Sequence, residues 1–211
     1  MIVSHRHRFV FFAVPRTATH AVRAALADAL DPGDWRQEAL TERVALPVPA
    51  LARLGHGHIS LLQAHAHLPG SICRDYFKFA FVRHPFDRFV SVCAMLNRRD
   101  PEYGGRERAF MKRAIARPRF RARVLVRPQV AMLTAADGDL GMDYLGRFET
   151  LQHSFDEVCD RIGLGRRSLD IRNAAQHGAY RDIFDAELGN SVAAFYREDF
   201  ARLDYEVPAC V

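Results

Sequence analysis

Apolar residues recur along this chain in two rhythms. Phe9–Val14 is an uninterrupted apolar run, the pattern of a strand buried on both faces, and Tyr76–Val82 (YFKFAFV) is a second, broken only by Lys78. Tyr144–Phe148 reads as a third strand. Between the strands the period lengthens. Over residues 20–30, Val22, Leu26 and Ala29 fall near i, i+4 and i+7, and Asp31-Pro32-Gly33-Asp34 stops the helix. Residues 59–67 predict a short helix ended by Pro69-Gly70. After the second strand, Pro85 suits the first position of a helix, and Phe86, Phe89, Val90, Cys93 and Leu96 mark its core-facing stripe. Further helices are predicted over 106–116, 125–135, 154–162 and 185–200, while residues 35–55 are mixed and read as peripheral. Strands alternating with helices predict an α/β fold, a mostly parallel sheet flanked by helices. The 211 residues carry no repeat, low-complexity run or long linker, so a single domain over 1–211 is expected.

Composition narrows the picture. The six apolar residues after His5-Arg6-His7-Arg8 are short for a signal-peptide core and far short of a membrane span. Cys73, Cys93, Cys159 and Cys210 form no C-x-x-C pair, which argues against a zinc knuckle or redox motif. Reduced thiols and a cytoplasmic protein are expected, with Cys93 and Cys159 in the core. The net charge of +5 is uneven: residues 98–127 hold eleven Arg or Lys against three acids, and Lys78 and Lys112 are the chain's only lysines. Such a stretch is either a solvated helical face or a surface for an anionic polymer.

Three features could carry chemistry. The first is the turn after the first strand, Pro15 to His20. It joins a strand to a helix without the glycines of G-x-x-x-x-G-K-[ST]. A helix N-terminus binds anions through unpaired N–H groups, and here Arg16, the Thr17 and Thr19 hydroxyls and His20 add to it. The plain alternative is a strand–helix turn with threonine capping. The second is Arg83, just past the second strand, with Ser91 two turns into the next helix. Helical side chains lean toward the N-terminus, so Ser91 can point back toward Arg83 and form a second anion site, unless Arg83 bonds a carbonyl and Ser91 only packs. Ligands of such folds sit at the carboxyl ends of strands, which both loops leave. The third is Gly55-His56-Gly57-His58-Ile59-Ser60. Imidazole is the usual general base near neutral pH. H-x-H is also a metal-ligand spacing, repeated at His65-Ala66-His67, yet residues 55–73 hold no Asp or Glu to complete a site.

Together these stretches resemble the sulfotransferases that use 3′-phosphoadenosine 5′-phosphosulfate (PAPS), in their carbohydrate branch. VPRTATH (Val14–His20) resembles that family's 5′-phosphosulfate loop, commonly PKTA[GS]TS. FAFVRHPFDRFVS (Phe79–Ser91) resembles its 3′-phosphate motif, an Arg followed eight residues later by a Ser. LGRFE (Leu145–Glu149), YRDIFDAEL (Tyr180–Leu188) and FYREDF (Phe195–Phe200) are similar to later segments. HGHIS (His56–Ser60) is similar to the active-site histidines of uronyl 2-O-sulfotransferases. The loop departs from the family in having Arg16 for lysine, Thr19 for a smaller residue, and His20-Ala21 for Thr-Ser.

The resemblance implies a P-loop nucleotide kinase-like sulfotransferase fold. It also implies sulfuryl transfer from PAPS to an acceptor hydroxyl, expected on a glycan, with 3′-phosphoadenosine 5′-phosphate (PAP) as product. The residues it implies for the donor are Arg16, Thr17, Ala18, Thr19, His20, Arg83 and Ser91. His58 is the implied base, assisted by His56, and Arg16 stabilises the leaving oxygen. No metal is required. The rival readings are a metal-dependent hydrolase built on the H-x-H pairs, a nucleotide kinase-like phosphotransferase, and a basic module binding nucleic acid through 98–127.

Overall fold

The computed structural model describes residues 1–38, 44–170 and 182–208. The chain forms two compact units, Met1–Val82 with Ala131–Arg172, and Arg83–Val130 with Asn173–Val211.

The first unit is built on a five-stranded sheet in the order β3-β1-β2-β4-β5, from β1 (Ile2–Ser4), β2 (Phe9–Phe12), β3 (Trp35–Arg36), β4 (Phe77–Val82) and β5 (Tyr144–Arg147). β2–β4 and β4–β5 are parallel, with Phe11 beside Phe79 and Phe81 beside Gly146. β1, however, runs antiparallel to both β2 and β3. The sheet is therefore mixed: four strands share one direction, as the mostly parallel sheet expected from sequence requires, and β1 alone is reversed among them. The reason is local: Ile2-Val3-Ser4 is a short fully buried strand, and His5–Arg8 turns it back onto β2 as a hairpin.

Phe9–Phe12 of β2 and Phe79–Val82 of β4 are buried on both faces, as the apolar runs require. Phe9, Phe11, Phe79 and Phe81 lie in one cluster with Val22 and Leu26 of α1 (Thr19–Ala27) and Phe155 and Val158 of α9 (Leu151–Arg161). Gly146 permits this packing, since a Cβ there would come 2.6 Å from the Phe81 ring. The Phe148–Thr150 turn leads β5 into α9. Between β3 and β4 lie α2 (Pro49–Ala52), α3 (Leu61–His67) and α4 (Gly70–Asp75). Ser60 opens α3 with a reciprocal capping box to Gln63. Pro69-Gly70, expected only to end a helix, also starts α4.

The second unit holds α5 (Pro85–Leu96), α6 (Glu107–Ile115), α7 (Pro118–Arg121), α10 (Ala186–Phe195) and α11 (Arg197–Arg202) around Phe86, Phe89, Cys93, Met111, Leu188 and Tyr196. The helix predicted over 125–135 shrinks to α8 (Val130–Leu133). Pro128 lacks an N–H and disfavours helical geometry at Arg127. The helix predicted over 185–200 breaks at Tyr196, whose hydroxyl donates to the Val126 carbonyl (2.7 Å). Cys93 and Cys159 are buried as expected. Tyr180, Arg181 and Cys210 lie outside the described residues.

Candidate active site

In the first unit, β2 delivers the chain into a tight turn that opens α1. Arg16 (φ 66°) and Ala18 (φ 61°) both take left-handed backbone conformations without being glycine. Each such residue costs roughly 1–2 kcal/mol, and strain of this kind collects at ligand-binding loops. The turn thus reaches a shape usually supplied by glycine. Thr17 is buried and its hydroxyl donates to the Val14 carbonyl (3.0 Å), so it ties the turn internally. α1 begins at Thr19 with no acid in its first turn and no side-chain cap. Its first amides therefore meet no competing anion from their own helix. Thr19 is buried and His20 exposed; desolvation on its inner side, then Arg23, lower the His20 pKa.

His58 joins this turn directly. Its Nδ1 lies 2.7 Å from the Ala13 carbonyl oxygen. A carbonyl only accepts, so Nδ1 carries the proton and Nε2 is the basic nitrogen of the neutral ring. Burial pushes the His58 pKa down to about 4, against the Ala13 bond, with the Met1 amino group, Arg23 and His56 contributing. The imidazole is therefore neutral at physiological pH, as a base must be before it takes a proton. The His56 and His58 ring centroids are 6.2 Å apart.

The glycine between them is sterically required. A Cβ on Gly57 would sit 2.2 Å from the Gln37 carbonyl oxygen and 2.4 Å from the Arg23 guanidinium. Arg23 donates to that same Gln37 carbonyl (3.0 Å), and the Gln37 side chain donates to the carbonyls of His56 and Leu51 (both 2.8 Å). Sequence reasoning missed Arg23 and Gln37. Arg23 carried a signal, one helical turn after Thr19; Gln37 carried none in a stretch that reads as peripheral.

In the second unit, Arg83 precedes α5 and is 9% exposed, with its Nε donating to Asp87 Oδ2 at 2.7 Å. Ser91 is buried on α5. Asp87 follows Arg83 at the i, i+4 spacing of a helical ion pair, a legible signal that went unused.

The sequence matches the model of the sulfotransferase family over residues 1–206. The chain belongs to the sulfotransferase family. No curated protein and no solved structure matches it significantly. The match runs through both units and takes in the 15–20 turn, the H-G-H segment and residues 83–91. It supports sulfuryl transfer to a hydroxyl-bearing acceptor, in place of phosphoryl transfer or hydrolysis.

The remaining features of this sulfotransferase read differently. His65 and His67 lie exposed on α3, where residues two apart point to different sides, so that pair is not a chelate. Among the described residues no group of three or more His, Cys, Asp or Glu could hold a metal ion, which leaves the hydrolase reading without a ligand set. No described helix is long and apolar enough to cross a membrane. Within the basic segment, Lys112 is a structural tie, bonded to Asp185 (2.8 Å) and to Glu187.

Proposed function

We propose that this sulfotransferase moves the sulfuryl group of PAPS to a carbohydrate hydroxyl, releasing PAP, and that both units work as a single domain of the P-loop nucleotide kinase-like kind. The observation that carries the reading is the tie between His58 and the root of the anion turn: one carbonyl, Ala13 O, sets the base beside the loop that takes the donor's 5′ end. The left-handed Arg16 and Ala18 and the open N-terminus of α1 suit a 5′-phosphosulfate. Arg83 and Ser91 take the 3′-phosphate. The H-G-H segment favours an acceptor of the uronyl type, with His56 orienting its hydroxyl. The three described free cysteines accord with a reducing, cytoplasmic setting.

In this reaction His58 Nε2 takes the proton of the acceptor hydroxyl as its oxygen bonds to sulfur. The bond from sulfur to the nucleotide's bridging oxygen breaks, and the electron pair stays on that oxygen. Arg16 and the amides of Thr17 to His20 stabilise the charge that grows there. The donor's own negative charge raises the His58 pKa from its unliganded value and strengthens it as a base.

Calorimetric titration with adenosine 3′,5′-bisphosphate, against AMP and ATP, tests the reading. Binding that depends on the 3′-phosphate is expected, and Arg83→Ala should abolish that dependence. Indifference to the 3′-phosphate in the wild-type protein would overturn the donor assignment.

A further inference from the structure

The second unit buries three polar side chains completely, Arg88, Gln129 and Asp199, and no step of the reaction above uses them. Gln129 bonds the backbone of Arg83, and the other two hold the segment that carries Gln129. Gln129 Oε1 accepts from the Arg83 N–H (2.9 Å), and Gln129 Nε2 donates to the Arg83 carbonyl (2.8 Å). A single side-chain amide thus pairs with both polar groups of Arg83's backbone, as a neighbouring strand would. Asp199 of α11 holds the other end: Oδ2 accepts from the Gln129 backbone N–H (2.9 Å) and Oδ1 from that of Val130 (2.9 Å). The Gln129 amide nitrogen also lies 3.4 Å from Asp199 Oδ2. The donor side of the amide therefore faces the Arg83 carbonyl and the carboxylate, which fixes its orientation.

Arg88 secures the segment that carries Gln129. Its guanidinium donates to the carbonyls of Leu125 (3.3 Å), Val126 (3.3 Å) and Arg127 (2.7 Å) and lies 5.2 Å from the centroid of the Tyr196 ring. Its positive charge also offsets the buried Asp199 carboxylate, whose pKa is raised first of all by burial. Four residues spread over more than a hundred positions of sequence thus hold one turn arginine in place.

We propose that Gln129, anchored on Asp199, is the positioning residue for Arg83, and that its two bonds to the Arg83 peptide set the enzyme's preference for a 3′-phosphorylated nucleotide. This rests on the donor reading above. An arginine in a turn would otherwise lose backbone and side-chain freedom on binding; one already held contributes more of its contact energy to affinity.

The test compares affinities of wild type, Gln129→Leu and Gln129→Glu for adenosine 3′,5′-bisphosphate and for AMP. Leucine removes both bonds to Arg83, whereas glutamate keeps the acceptor and loses the donor. The leucine variant should lose about tenfold in the 3′-phosphate preference with AMP affinity held within about twofold, and glutamate should fall between it and wild type. A purely structural role would weaken both nucleotides together and leave their ratio unchanged, which would overturn the proposal. A second measurement needs no variant and no ligand: the Arg83 amide of the unliganded wild type should be strongly protected from hydrogen exchange. Rapid exchange would refute the clamp even if the variants fail to fold. Wild-type protein that ignores the 3′-phosphate would overturn the donor reading and this inference with it, whereas a wild-type preference retained in the leucine variant would overturn this inference alone.

Discussion

Acid should destabilise this protein partly through one ring. His58 has a pKa of about 4 in the folded chain against 6.5 for an ordinary histidine. Above 6.5 the ring is neutral in both states and contributes no pH dependence. Between 6.5 and 4 the unfolded chain binds a proton that the folded chain refuses, so stability falls as the pH drops. The full displacement corresponds to about 3 kcal/mol, a large part of the ~5–15 kcal/mol that holds a typical domain folded. The cause is structural: the ring is desolvated, and the Met1 amino group, Arg23 and His56 add positive charge around it.

His58→Asn isolates the effect. The asparagine amide can still donate to the Ala13 carbonyl but cannot titrate. Urea unfolding should be followed for both proteins at pH 7 and pH 4.5. Wild type should lose about 2–3 kcal/mol more than the variant over that interval. The difference between the two proteins is what counts, since other histidines titrate in both. Equal losses would show that His58 is not desolvated in solution and would remove the reason to assign Nε2 as a poised base.

Three further outcomes are expected. Gly57→Ala forces a methyl group against the Gln37 backbone, costing about 1–3 kcal/mol in urea unfolding, and a shift of His58 by on the order of 1 Å would lower turnover about a hundredfold; a fully active, fully stable variant would contradict the close packing at 57. Ala18→Gly relieves roughly 1–2 kcal/mol of left-handed strain and gives back up to about 1 kcal/mol in unfolded-chain entropy, so its urea midpoint should match or exceed wild type, and a clear fall would mean residue 18 is not left-handed. Arg88→Met leaves the Leu125, Val126 and Arg127 carbonyls and the buried Asp199 carboxylate without their cation and should cost about 3–5 kcal/mol, read from the same unfolding curves.

Much of the site was legible because its parts are local. The turn from β2 into α1, the step from β4 to Arg83, and the H-G-H segment each lie within a few residues, and strand-then-helix periodicity marks them. The reversed strand β1 was not legible, because three residues are too few to show a period. Helix ends went wrong where a tertiary bond intervenes, as at Tyr196, or where Pro128 outweighs an apolar pattern.

The sequence by itself determined the two parallel strands, the basic and hydroxyl-bearing make-up of the turns that follow them, and the sulfotransferase resemblance. All of these depend on residue type and near spacing, and the family match agrees with the last. Only the tertiary structure decided how the site residues are held. Nothing near His58 in sequence says that the Ala13 carbonyl accepts from its ring N–H, nothing near Gly57 announces Arg23 and Gln37 against it, and Gln129 meets Arg83 across 46 residues of chain. Hydrogen bonds between distant segments exist only once the core has brought their backbones together, so the chemistry could be read along the chain and its positioning could not.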